Sequence, residues 1–320
     1  SPFDILAVRE KIRAGEIPGP RLTISGPWIT RIKLDGVPDS YQIVINSPTE
    51  AAAKTLELIE QGSDIIKIWL GLTLEDMKAV VNAAHSKRVK VHAHLYKVPA
   101  IEKAIEAGVD VLQHVGSAKM PPYPAALLHK IAEDRIPVVQ TVAHRIWVYP
   151  ESIKNPGRLD NPELEADIPA DIYADMQRSF KNIRALSYFK DTPDEIRHST
   201  INAHQFIDAN AYMGVGTDAA SPLNFHTEAM WREMSALVDS GMTPARVITA
   251  ATKSGAEILG KGGELGTIEA GKLADIIIID GDPLFDINAL KYVAVTIKDG
   301  RVWFNKKYTT DALTALGTAF

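Results

Sequence analysis

Five side chains have the types and spacing to hold a metal ion and move a proton: Lys67, His92, His94, His114 and Asp218. They lie within or at the end of four short apolar runs, DIIKIWL, VKVHAH, VDVLQH and YMGVGTD. A polar group at the end of an apolar strand needs a reason, because burying it unpaired costs free energy. Lys67, between Ile66 and Ile68, is expensive as a bare buried ammonium; by itself it reads as a lysine that snorkels or pairs with a carboxylate. His92 and His94 are two apart, so in a regular strand they share a face, which favours a site over a lone core histidine. His114 alone is unremarkable. Asp218, in Gly-Thr-Asp, is either a functional carboxylate or a cap for the next helix. The joint order Lys, His, His, Asp on successive strand ends is what points to chemistry. Cysteine is absent, so thiolate sites and disulfides are excluded, and ligands must come from His, Asp, Glu or a modified Lys.

The elements that must position these groups follow a repeating rhythm. Strands are predicted at 21–25, 64–70, 89–94, 109–114, 136–142 and 212–218, with amphipathic helices at 47–61, 73–87, 99–107 and 122–134 between them. Ser47 with Glu50 reads as a capping box, and Thr73 with Asp76 as a weaker one. Continuous apolar strands alternating with helices mean a parallel sheet or barrel. Barrel enzymes place catalytic groups at the C-terminal strand ends. Residues 145–190 break the rhythm, as an insertion on that side or as a surface excursion. After Asp218 come helices at 226–240 and 243–259, the second capped by Thr243–Pro244. A small β module follows, with strands in 274–280 and 292–305 and a hairpin turn at Asp299–Gly300.

The 320 residues, 46% apolar, suffice for a large core. With 35 basic and 40 acidic residues and no long basic run, nothing points to nucleic acid or an anionic membrane. No apolar run reaches the roughly 20 residues needed to span a bilayer, and no signal peptide is visible.

The Lys, His, His, Asp order is accompanied by the segments IPGPRLTISG (17–26), EAGVDVLQHVG (106–116), GTDAASP (216–222), SGMTPARVITAATKSGAEILG (240–260) and GTIEAGKLADIIIIDGDPLFDI (266–287). Together they resemble the amidohydrolase superfamily over nearly the whole chain. The VHAH strand and the spacing look most like the imidazolonepropionase-like group that contains Xaa-Pro dipeptidases of the prolidase type. The resemblance implies an α/β fold, a TIM-type (β/α)8 barrel with a small C-terminal β-sandwich module. It divides the chain into barrel strands 3–8 at 1–262, part of the sandwich at 263–308 and a tail at 309–320. It implies one or two divalent ions, for which zinc fits. Lys67 would be a carboxylated lysine bridging two metals, and His92 and His114 would be ligands of one of them. His94 would lie beside the site as a catalytic, substrate-touching residue. Asp218 would be both a metal ligand and the acid/base that carries a proton from metal-activated water to the leaving group.

Two departures qualify this. The family's strand-1 His-x-His pair has no counterpart, since the pair at 92–94 belongs to strand 5. Strands 3–8 alone leave two open edges, so roughly 80–100 further residues are expected before Ser1, or another chain supplies them. The segment at 26–44 also lacks the family's histidines; Trp28, Arg31 and Tyr41 line a substrate pocket there, or the segment is an ordinary loop with Trp28 packed. His144 and His226 lie on the active-site side and are expected to touch substrate, while His85, His129, His198 and His204 read as surface residues. The expected activity is cleavage of an amide bond in a dipeptide, Xaa-Pro or N-acyl amino acid substrate, by a homo-oligomer. Alternatives are a deaminase, lactonase or esterase of the same superfamily, or a non-catalytic barrel. Leu95 stands where such deaminases carry Glu, which favours the lysine-bridged hydrolases.

Overall fold

The rhythm of the sequence becomes seven parallel strands with helices between them, and a separate three-stranded antiparallel sheet. The computed structural model describes residues 2–116, 122–161, 168–181, 192–219, 221 and 223–305. The chain forms two compact units, Ser1–Val115 with Ala125–Val138, and Gly116–Pro124 with Val139–Phe320.

The first unit runs α1 (Asp4–Arg13), β1 (Trp28–Thr30), β2 (Gln42–Val44), α2 (Pro48–Glu60), β3 (Ile65–Ile68), α3 (Leu74–Ser86), β4 (Lys90–His94), α4 (Val98–Ala107), β5 (Val111–Gln113) and α5 (Ala125–Glu133). Its strands lie in the order β2-β1-β3-β4-β5. Residues 21–25 are not a strand. Pro18, Pro20 and Pro27 remove donors on either side of this stretch, and Gly26 turns the chain after it at φ +66°. The stretch still runs beside β3, with Asp64 N–H donating to Ile24 O at 2.7 Å and Ile24 N–H to the Asp64 carboxylate at 2.9 Å. Arg9 of α1 holds that carboxylate at 2.6 Å. The ladder positions are taken instead by β1 and by β2, a strand the sequence reading did not contain.

The helix starts follow cap chemistry, with one reversal. Ser47 Oγ accepts from Glu50 N–H, but the Glu50 carboxylate reaches past the cap to Asn46 N–H at 2.8 Å. Thr73 and Asp76 form the complete box, because the shorter Asp side chain stops at the cap residue itself. Asp76 is fully buried, and Arg31 of the segment after β1 grips it through two nitrogens at 2.6 and 2.9 Å. Burial pushes the Asp76 carboxyl up, but the hydrogen bonds from Arg31 and Thr73 outweigh it and hold the group below its usual range. Asp76→Ala removes the box and strands Arg31, and is expected to cost about 2–4 kcal/mol in urea denaturation. A loss within about 0.5 kcal/mol, the usual surface value, would contradict this account.

The second unit takes over within β6 (Val138–Gln140). It continues with a π-turn at His144–Val148, α6 (Tyr149–Lys154), a 3-10 turn at Pro156–Asp160, α7 (Ala170–Phe180), α8 (Thr192–Asp208) and β7 (Met213–Val215), the neighbour of β6. Then come α9 (His226–Asp239), α10 (Pro244–Thr249), a second π-turn and α11 (Gly255–Ile258). The described part of 145–190 is not a loose excursion. Val148, Tyr149 and Leu159 pack with Leu223 and Phe225 from the loop after Asp218, flanked by Trp147, Ile168, Met176 and Phe180. Arg158 ties the two segments further, bonding Glu228 at 2.7 Å and Leu223 O at 3.2 Å.

The antiparallel sheet is β8 (Ile276–Ile279), β9 (Val293–Lys298) and β10 (Arg301–Asn305). Asp299 and Gly300 take φ +53° and +73°, the two left-handed residues of a type I′ hairpin turn. Adjacent residues of a strand face opposite sides, so Ile277 and Ile278, each about half exposed, show both faces of β8 open. The tail at 309–320 lies outside the described residues. Among those described, no helix is long and apolar enough to cross a membrane.

Candidate functional site

In the parallel register Lys67 pairs with His92, and His94 with Gln113. Laterally paired residues share a face, and alternate residues return to it. Lys67, Trp69, His92, His94 and Gln113 therefore line one face of β3–β5, while Ile66, Ile68, Val91, Ala93 and Leu112 line the other, fully buried. His114 follows Gln113 and is due on the apolar face. Its φ of +61° turns it back. Its Nε2 then lies 3.4 Å from Lys67 Nζ and its ring 4.7 Å from that of His94. A left-handed non-glycine residue costs about 1–3 kcal/mol and persists where its surroundings demand it. Arg88, Arg135 and Asn210 adopt the same conformation where helices end; His114 has no such reason.

Burial and a neighbouring charge keep the His92 ring neutral. An amine beside an imidazole nitrogen donates to it, so His114 Nε2 presents its lone pair toward Lys67. His92 is pushed down to about 4, by burial first and then by the Lys67 charge. Its Nδ1 lies 3.0 Å from the Gln113 amide, and its Nε2 is buried without a hydrogen-bond partner. Aromatic rings wall the face. Trp69 stacks on His94 at 3.8 Å, Trp28 lies 4.4 Å from Trp69, and the ring of the partly exposed Tyr41 lies 6.2 Å from that of Trp28. Trp28 and Tyr41 thus belong to the wall, whereas Arg31 commits its guanidinium to Asp76.

Among the described residues, no three His, Asp or Glu groups converge as a ready metal cage. The first unit offers three imidazoles, those of His92, His94 and His114, and the Lys67 amine. An ammonium repels a cation, but the same amine as a carbamate adds two anionic oxygens beside His114 Nε2. The partnerless His92 Nε2 is a further donor. The residues fit a divalent ion held by Lys67, His92 and His114 when Lys67 is carboxylated.

In the second unit β7 ends at Val215, earlier than the sequence reading placed it, and Asp218 stands exposed in the following loop at φ +51°. The loop is tied by Asn224 Nδ2 donating to Thr217 O at 2.6 Å and by Ser221 N–H donating to Asp218 O at 3.1 Å. The next helix, α9, begins at His226 with Phe225 as its N-cap, so Asp218 is not the cap. His226 is exposed. His144 opens the first π-turn, with both ring nitrogens buried and unpartnered. Burial, then the Arg145 charge, holds it well below its usual value.

The sequence reading missed Glu233, fully buried on α9, whose carboxylate accepts from Val142 N–H at 2.9 Å and Ala143 N–H at 2.7 Å. Burial pushes it up to about 8, with the Asp218 charge adding to the rise. A signal existed: Glu233 falls on the helix face of Ala229, Ala236 and Leu237, where a carboxylate is out of place. Gln113 and Trp69 were also missed: the period of two from Lys67 places Trp69 on the site face, whereas Gln113, adjacent to His114, reads in the sequence as facing the other way and joins the site only through its register with His94. His85 is exposed on the Asp110 carboxylate at 2.8 Å, His129 and His204 are exposed, and His198 is half-buried.

Comparison with known proteins bears on the whole arrangement. The Amidohydrolase family profile matches residues 1–303. The imidazolonepropionase of Thermoplasma volcanium is 38% identical over 86 residues, 27% of this chain and 21% of that protein. The 5'-deoxyadenosine deaminase of Methanobrevibacter smithii is 31% identical over 120 residues, 31% of this chain and 27% of that protein. The matches thus span only about a quarter of these relatives' lengths. A solved structure from Bifidobacterium longum, described as a candidate prolidase, superposes with a TM-score of 0.72 at 26% identity, covering 99% of this chain and 75% of that one. A Xaa-Pro dipeptidase with methionine bound in its active site has a TM-score of 0.73 at 24% identity over 95% of this chain and 73% of its own, a likeness of fold. The parallel strands, helices and small antiparallel sheet are the TIM-type α/β fold of these proteins. Proteins of this family generally bind divalent metals. With the profile running over nearly its whole length, this chain belongs to the amidohydrolase family.

Proposed function

We propose that the protein is a metal-dependent hydrolase that cleaves an amide bond in a dipeptide, Xaa-Pro or N-acyl amino acid. The observation that carries this reading is the Lys67 amine beside His114 Nε2, with the neutral, partnerless His92 Nε2 on the adjoining strand. Lys67 as a carbamate, His92 and His114 would hold one ion, zinc being suited to such donors; Asp218 would be a ligand of a second. When bound, a divalent ion supplies Lewis acidity, acidifying water and polarising a carbonyl. Asp218 takes the proton from the attacking water and returns it to the leaving nitrogen, a role for which an exposed carboxylate on a tied loop is suited. His94, braced against Trp69, and the Trp28–Tyr41 wall orient the substrate, and His144 offers neutral nitrogens to its polar groups. His226, exposed at the start of α9, serves as an outer contact. Leu95, buried in place of a glutamate, supports hydrolysis of an amide over deamination. The working unit is a homo-oligomer.

The test is hydrolysis of a panel of Xaa-Pro dipeptides and N-acyl amino acids by the zinc-loaded chain. Asp218→Asn is expected to lower kcat by about 10²–10⁴-fold. Absence of amide hydrolysis in the zinc-loaded wild type, or an undiminished kcat in Asp218→Asn, would overturn the assignment.

A further inference from the structure

A row of aromatic rings crosses the site face of the first unit, and neither the ion nor the acid/base accounts for it. The ring centroids of Tyr41 and Trp28 lie 6.2 Å apart, those of Trp28 and Trp69 4.4 Å, those of Trp69 and His94 3.8 Å, and those of His94 and Tyr96 4.7 Å. The backbone sets the row. Ile29 of β1 is registered against Ile68 of β3, so Trp28 stands level with Lys67 and on its face. Trp69 returns to that face two residues after Lys67, and His94 two residues after His92. The opposite face of these strands is closed, with Ile29, Ile66 and Ile68 fully buried. Trp28, Trp69 and Tyr96 are instead partly exposed, and Tyr41 is 37% exposed at the end of the row. An apolar wall left open beside a few fixed polar groups is the composition of a small-molecule site.

Two details define what the wall takes. Along Tyr41, Trp28 and Trp69 successive planes are tilted by 51° and 38°. The row is therefore not a closed stack. It presents ring faces and ring edges, the surfaces against which a further aromatic ring packs offset or edge-on. The second detail is the indole Nε1–H of Trp28, which is buried and donates to nothing in the protein although the ring is partly exposed. A buried indole N–H ordinarily finds an acceptor, and leaving the bond unmade costs free energy. A flat ring close to a carbonyl or carboxylate oxygen answers both details. We propose that Trp28, Trp69 and Tyr41 form a stacking subsite that selects amides bearing an aromatic ring, with Trp28 Nε1–H donating to an oxygen of the same ligand. The proposal deepens the hydrolase reading and rests on it only for the fate of the bound amide. The segment at 26–44 is where this chain departs from its family's pattern, so the preference belongs to this chain. One aromatic contact, beyond the area it buries, is worth about 2–10-fold in affinity.

The test compares N-acetylphenylalanine with N-acetylcyclohexylalanine, whose ring is of similar size but has no π system. Binding is read by NMR titration of the full, metal-free chain labelled with 15N-tryptophan, the Trp28 indole signal being the one lost in Trp28→Phe. Wild type is expected to bind the aromatic ligand about 2–10-fold more tightly, and its Trp28 indole proton to move downfield as it gains an acceptor. Trp28→Leu is expected to level the two affinities, whereas Trp28→Phe keeps a ring and should keep the preference. The comparison is internal to each chain, so partial unfolding, which lowers both affinities alike, does not imitate the effect. Tyr41→Leu, at the exposed end of the row, should also weaken the preference. Equal affinities in wild type, an unmoved Trp28 indole signal, or a preference untouched by both leucine variants overturns the proposal. If the zinc-loaded chain hydrolyses both amides without an aromatic preference, the subsite falls and the hydrolase reading stands. If the metal-free chain shows the preference and the zinc-loaded chain hydrolyses neither amide, the subsite stands and the hydrolase reading falls.

Discussion

Lys67→Ala is expected to lower the divalent-ion stoichiometry of the chain and to reduce amide hydrolysis to the level of the metal-free protein. The physical case is the placement of Lys67 Nζ, 3.4 Å from an imidazole nitrogen and 5.6 Å from the Trp69 ring centroid, on a face otherwise set with histidines. As an ammonium it opposes any cation at His92 and His114. As a carbamate it reverses sign and provides two oxygens. Carbamate forms when the neutral amine attacks carbon dioxide and releases a proton. Metal loading of the wild type should therefore rise when bicarbonate is supplied and fall in carbon dioxide-free buffer. Lys67→Ala should respond to neither. Ion content by mass spectrometry on the two chains, loaded with and without bicarbonate, checks both expectations. Equal stoichiometry in the two chains would sink the carboxylated-lysine assignment. Glu at position 67 should not restore binding, because its carboxylate ends several bonds short of the carbamate oxygens.

Glu233 is expected to make folding stability fall as pH rises. Its folded value is pushed up to about 8 from an ordinary carboxylate value near 4.5, because burial outweighs the opposing hydrogen bonds from Ala143 and Val142 N–H and the Asp218 charge adds to the rise. The fold therefore prefers the protonated acid. That preference is fully present below about pH 4.5 and is lost progressively as pH rises through about 8, a span worth up to about 5 kcal/mol. Glu233→Gln cannot ionise and should flatten this slope. The amide has one acceptor oxygen where the carboxyl group has two, and it faces two backbone donors, Val142 and Ala143 N–H. The variant should accordingly be less stable than wild type near pH 5, by about 1–3 kcal/mol. It should overtake wild type above pH 8. Urea denaturation of both metal-free chains at pH 5, 7 and 9 reads the crossing; parallel pH profiles would show that Glu233 does not carry the linkage.

Much of this molecule is legible from local pattern. The strand–helix rhythm requires only hydrophobic periodicity, and it locates β3, β4, β5, β6 and β7 to within a few residues. The shared face of His92 and His94 needs only the two-residue period of a strand. The type I′ turn at Asp299–Gly300 and the Thr243 cap are set by the conformations those residues favour. Lys67 taken alone reads as a lysine that snorkels or pairs with a carboxylate, and it is the joint order Lys, His, His, Asp on successive strand ends that makes it suspect.

Other features were decided by packing between distant segments. Residues 21–25 read as a strand because they are apolar, but prolines and the Asp64–Arg9 contact hold them as an extended flank, and β1 takes the ladder. Arg31 and Asp76, 45 positions apart, find each other only in the fold. The side to which His114 turns depends on a single backbone dihedral, and no side-chain pattern encodes it. Gln113 acquires its meaning from the register of β4 against β5. Glu233 acquires its meaning from the two N–H groups that β6 leaves open at its end. Period and propensity are properties of neighbours in sequence; register, dihedral strain and burial are imposed by elements that meet only when the chain has folded.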